Sequence, residues 1–178
     1  MNKSVFFLSM LAMLGSPTSF GLNLPLVLET REVKSEVSES EGEFYSKLGF
    51  LESGGDYGVV NTYGYMGKYQ FSSHTLKAIG IEVSRGEYLK DSVLQERSVR
   101  ILTTHNKKVL RRHIRKYTGT TIKGVVVSEA GILAAAHLVG AGNVMAYLES
   151  GGRIDKADGY NTKCSDYMAK FADVRLVE

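Results

Sequence analysis

Apolar positions recur at helical spacing over most of this chain and divide it into elements before any chemistry is considered. After Asn2 and Lys3 comes an apolar run from Val5 to Leu14, followed by Ser16, Pro17, Thr18, Ser19, Phe20 and Gly21. A short positive end, an apolar stretch too short to span a bilayer, and small residues at Ser19 and Gly21 have the form of a cleavable secretory signal over residues 1–21. From Leu22 to Glu43 no period is sustained, and the stretch reads as a flexible leader. Ser40-Glu41-Gly42-Glu43 has the form of a capping box, and Phe44, Leu48 and Leu51 follow on one face of a short helix that Gly54 and Gly55 stop.

Asp56 to Tyr69 is rich in Gly, Tyr and Asn, with no helical stripe, and reads as an ordered loop or small hairpin. Ser72 or Ser73 can cap a helix through Leu76 and Ile79 to Gly80. A longer helix is predicted from Asp91 towards Tyr117. It turns Leu94, Ile101, Leu102, Val109, Leu110 and Ile114 inward, and Lys107, Lys108, Arg111, Arg112, Arg115 and Lys116 outward. The next begins near Ser128 and carries Ile132, Leu133, three consecutive alanines and Leu138, so it can pack closely on its neighbours. Another runs from Ala141 to Glu149, stopped by Gly151 and Gly152, and a last one holds Tyr167, Met168, Phe171 and Ala172. The expected fold is mainly α, with about six short helices around one buried Ala-rich helix and a small Gly/Tyr-rich insertion.

Composition sharpens this. With 178 residues, 43% hydrophobic and 23% charged, the chain suits one soluble domain over residues 44–178 and excludes a disordered or multi-span membrane protein. Its one cysteine, Cys164, cannot pair within the chain, and a small buried apolar role is expected for it. The net charge of +3 is unevenly spread: Glu29 to Glu43 holds six acids against Arg31 and Lys34, whereas from Phe44 onward 19 basic residues face 13 acidic ones. A basic domain behind an acidic leader fits a polyanionic partner, but charge alone favours plain solubility. Nucleic acid is not expected, because the basic helix lacks interleaved aromatics and the signal points outward.

The chemistry concentrates in Glu52-Ser53-Gly54-Gly55-Asp56-Tyr57 and in Gly64-Tyr65-Met66-Gly67-Lys68-Tyr69-Gln70-Phe71-Ser72. Glu52 falls in the last turn of its helix beside an apolar stripe. There the negative end of the helix dipole and partial burial both disfavour the charged carboxylate, a setting suited to a general acid. Tyrosines and glycines behind it could wall a groove for flat sugar rings. On these residues alone, a surface glutamate beside a glycine stop stays open.

The two segments resemble the catalytic signature of the lysozyme-like superfamily, closest to the resuscitation-promoting factors and lytic transglycosylases. Leu133 to Gly142 is similar to that superfamily's Ala-rich active-site helix, and Asp158 to Phe171 to its terminal segment with a cleft tyrosine. The resemblance implies a lysozyme-like fold, with Glu52 as the single acid/base. It implies Gln70 as a ligand of a sugar substituent beside Ser53, with Tyr65 and Phe71 as groove walls and Tyr167 as the tyrosine that orients an N-acetyl group. His137 on the Ala-rich helix is either a further substrate ligand or a hydrogen-bonded core residue, the second being the simpler role. A second Glu-Ser-Gly-Gly, Glu149 to Gly152, lacks any Tyr-rich or Gln-Phe sequel and reads as a helix end only.

Glycosidases that use water need a second carboxylate. Between Glu52 and Glu82 the only other acid is Asp56. The resemblance therefore implies a periplasmic or secreted peptidoglycan lytic transglycosylase, which needs neither metal nor cofactor and releases 1,6-anhydromuramyl ends. The alternatives are a muramidase using Asp56, or a non-catalytic peptidoglycan-binding protein. Glycan strands are the implied partner, alone or within a cell-envelope machine, with no membrane span left after processing.

Overall fold

Helix formation starts earlier than the apolar periodicity shows. The computed structural model describes the backbone of residues 25–176 and the side chains of residues 39–176, so the expected signal segment lies outside the described residues. Helix α1 (Pro25–Ser53) runs unbroken for 29 residues through the stretch expected to be a flexible leader. Pro25 suits a first helical position, and the glutamates, lysine and arginine that follow are good helix formers with no glycine or proline before Gly42. Ser40 and Glu43 consequently lie inside the helix rather than at its start. Glu41 pairs with Arg100 at 3.3 Å, and the Arg100 guanidinium lies 4.3 Å from the centre of the Tyr45 ring. The acidic stretch is thus tied to the basic domain at its C-terminal end.

Next come α2 (Ser73–Ala78), α3 (Arg85–Tyr88) and α4 (Ser92–Tyr117), then a hairpin of β1 (Thr121–Ile122) and β2 (Val125–Val126), then α5 (Glu129–Val139), α6 (Ala141–Glu149) and α7 (Cys164–Lys170). The protein is mainly helical, as expected, and the 26-residue α4 matches the longer helix predicted there, whereas α1 is long rather than short. Ser72, one of the two cap candidates, and Asp91 and Ser128, where helices were expected to begin, each accept from a backbone amide at the start of α2, α4 and α5. The hairpin turns through Lys123 and Gly124, both at positive φ. Among the described residues, no helix is long and apolar enough to cross a membrane.

The core forms around α5, in which every residue from Ala130 to Ala136 is buried. Its small side chains let α4, α6 and α7 approach; a Cβ added at Gly131 would meet the Met168 backbone at 3.0 Å. Ser128 joins two elements, since its hydroxyl caps α5 and donates to the Phe171 carbonyl at the end of α7 at 2.8 Å. Phe44 and Leu48 of α1 complete the core from the other side. Cys164 is fully buried, and desolvation, helped by the charge of Asp155, pushes its thiol up to about 12.

Candidate active site

Two left-handed glycines fix the end of α1. Gly54 and Gly55, at φ +69° and +87°, turn the chain back so that their amides bond the carbonyls of Phe50 and Gly49 at 2.9 and 3.1 Å. That turn leaves Glu52 facing a cleft of about 960 Å³, bounded by α1, the 57–71 segment, α4, α5, the α5–α6 junction and the 157–162 loop. The Tyr167 hydroxyl of α7 donates to Glu52 Oε1 at 2.7 Å. Burial, then the charge and hydrogen bond of Glu52, hold the Tyr167 phenol far above its ordinary pKa, so it stays a donor. With Oε1 taken, Oε2 is the oxygen of Glu52 that has no partner among the described residues.

The Gly/Tyr-rich segment is a minimal hairpin: Met66 bridges both Val60 and Phe71. It is pinned to α4 by Gln95, whose fully buried carboxamide donates to the carbonyls of Tyr57 and Tyr88 and accepts from the Lys68 amide at 2.9 Å. Gly67, at φ +71°, passes so close that any Cβ would collide with the Gln95 carboxamide. Beside it, Glu96 accepts from Lys68, Tyr57 and both ways from Tyr69 at 2.7–2.9 Å. Burial alone would raise the Glu96 pKa and lower that of Lys68. The hydrogen bonds and charges of the cluster outweigh burial in both, so Glu96 is lowered and Lys68 raised. Both shifts favour the ion pair. Gln95 and Glu96 were not readable as site residues, because their partners lie some thirty positions away.

The cleft brings together Glu52, Tyr65, Gln70, Phe71, His137 and Tyr167. Gln70 sits at φ +50° and its Nε2 donates to the Gly67 carbonyl at 2.8 Å. Phe71 is buried and Tyr65 exposed. The Nε2–H of His137 donates to the Tyr69 carbonyl at 2.9 Å and the ring meets Phe71 edge-on at 5.5 Å, so it has the core role and faces the cleft as well. Ser53 is not brought into the cleft. Its hydroxyl donates to the Lys68 carbonyl at 2.9 Å and holds the helix end against the hairpin.

Asp56 is also outside the cleft, exposed and accepting from the Gly58 amide at 2.7 Å. The other carboxylate in the cleft wall is Asp158, whose Oδ1 accepts from the amides of Tyr160 and Thr162 at 2.9 and 2.8 Å. Asn106 is a further wall residue that sequence reading missed. Its signal was a polar residue interrupting the inward stripe between Leu102 and Leu110. At the rim, Tyr63 and Tyr160 pack edge-on at 4.9 Å, and the Tyr63 hydroxyl donates to the Gly159 carbonyl at 2.9 Å, joining the hairpin to the 157–162 loop. Among the described residues, no group of three or more His, Cys, Asp or Glu side chains could hold a metal ion.

No family model, no curated protein and no solved structure matches this chain.

Proposed function

We propose that this protein is a secreted peptidoglycan lytic transglycosylase on a lysozyme-like scaffold, with Glu52 as its sole acid/base. The observation that carries the reading is the pair of Glu52 and Tyr167, brought from opposite ends of the domain into one cleft of about 960 Å³. In this mechanism Glu52 carries its proton on Oε2, while Tyr167 holds Oε1. That proton passes to the glycosidic oxygen between N-acetylmuramic acid and N-acetylglucosamine as the C1–O bond breaks. The muramyl N-acetyl oxygen closes on C1 and holds the sugar as a cyclic cation. The Glu52 carboxylate then takes the proton of the C6 hydroxyl, O6 displaces the acetamido oxygen at C1, and the 1,6-anhydro ring leaves. Glu52 ends protonated, ready for another turn, so one carboxyl serves both steps.

Asp158 supports hydrolysis as a second reading, since it gives the cleft another carboxylate. One of its oxygens is committed to holding the 158–162 turn, and this favours the lyase. Asp56, exposed and outside the cleft, offers the hydrolase no support. Digestion of purified sacculi, with mass spectrometry of the released muropeptides, separates the readings. Anhydromuramyl ends are expected; reducing ends would establish the muramidase, and no release would overturn both.

A further inference from the structure

A buried polar side chain ordinarily finds its partner within the fold, and one that does not marks a place where something else supplies it. Asn106 is 5% exposed and lies on the inner face of α4, between Leu102 and Leu110. Among the described residues its carboxamide has no hydrogen-bond partner, and it lines the cleft. A second unpartnered polar atom lies in the same wall: Nδ1 of His137 is buried without a partner on the adjoining helix α5. Because the His137 Nε2–H donates to the Tyr69 carbonyl, Nδ1 is an acceptor in the neutral ring. The wall thus holds donors and an acceptor on α4, and a lone acceptor on α5.

Those groups narrow what fits. A sugar hydroxyl donates and accepts at one oxygen and so suits partners that converge on a single point. A trans secondary amide directs its C=O and N–H to opposite sides and so needs a donor and an acceptor on two separate elements, and an acetamido group adds a methyl that wants apolar contact. Leu102 and Ala136 flank the two polar groups along α4 and α5 and line the same cleft. We propose that Asn106 is a specificity-determining residue that binds an acetamido group of the substrate: Nδ2 donates to the acetamido carbonyl, and His137 Nδ1 accepts from its N–H. This rests on the glycan reading above and adds to it the group that is recognised and the residue that recognises it.

The test is titration calorimetry of the full chain with chitotetraose and with cellotetraose, which differ in carrying an acetamido or a hydroxyl group at each C2. The unmodified chain should bind chitotetraose about tenfold more tightly, the worth of one to two hydrogen bonds. Asn106→Leu and the near-isosteric Asn106→Asp should each reduce that preference about tenfold. Thermal unfolding of Asn106→Leu should be unchanged or raised, because an apolar group replaces an unpaired polar one. A preference retained in both variants would overturn the role of Asn106 and leave the glycan reading standing. If neither tetramer binds the unmodified chain, the glycan reading itself falls, and this inference with it.

Discussion

The same four residues, Glu-Ser-Gly-Gly, end two helices of this protein, and the two ends have different surroundings. At the end of α1 and at the end of α6 the backbone behaves alike: each glycine pair takes positive φ, and the chain turns back on its helix. In the first, Glu52 lies in the cleft wall under the Tyr167 hydroxyl, and Ser53 is bonded across to the hairpin. In the second, Glu149 is exposed, lies outside the cleft and meets His113 at 2.9 Å, while Ser150 bonds only within its own turn. The tetrapeptide sets a backbone conformation, and the segments packed against it decide whether its glutamate faces a cleft. Gln95, Lys68 and Tyr167 supply those segments for the first end.

Glu52→Gln should separate the two ends most sharply. Turnover on sacculi is expected to fall about 10³-fold, with the stability of the fold changed by less than ~1 kcal/mol. Retained turnover would exclude Glu52 as the acid. Gly67→Ala attacks the hairpin that distinguishes the first end. Positive φ and the collision with Gln95 together should cost roughly 2–4 kcal/mol, seen as a fall of about 5–15 °C in Tm with a parallel loss of activity. Tyr167→Phe is subtler. It keeps the cleft wall and removes the donor to Glu52, so kcat should fall about tenfold while KM stays close to its original value; a change confined to KM would reduce Tyr167 to a wall residue. Glu149→Gln should leave turnover intact and change stability by less than about 0.5 kcal/mol, as an exposed pair is worth little. Lost activity in that variant would break the comparison.

Much of the fold was legible because its signals are local. Ser72, Asp91 and Ser128 announce helix starts within three residues, and α6 has both of its expected bounds. The path of α1 through the acidic stretch was not legible, since that stretch forms helix on the propensity of its charged residues without an apolar stripe to betray it. Helix α3 was overlooked although Ser84 and Glu87 form a complete capping box, because four residues are too few for a period. In the cleft, the residues nearest Glu52 in sequence were readable from the motif. Asn106 and Asp158 of the cleft wall were not, because only the packing of α4 and the 157–162 loop brings them to it, and Gln95 and Glu96 were not, because they act on the distant hairpin. Ser53 shows the opposite error: it belongs to the motif, yet its hydroxyl serves the fold rather than the groove.

The hydrogen bond between Glu52 and Tyr167 spans 115 positions of the chain. A contact of such long separation is made only when the loop between its partners is closed at an entropic cost. A chain in which α7 has not docked has an intact α1 end but a glutamate with no tyrosine above it and a cleft open on one side. The Glu52–Tyr167 pair therefore exists only in the folded domain, and under the proposed reading the ability to cut a glycan would depend on that tertiary contact as much as on the motif that carries Glu52.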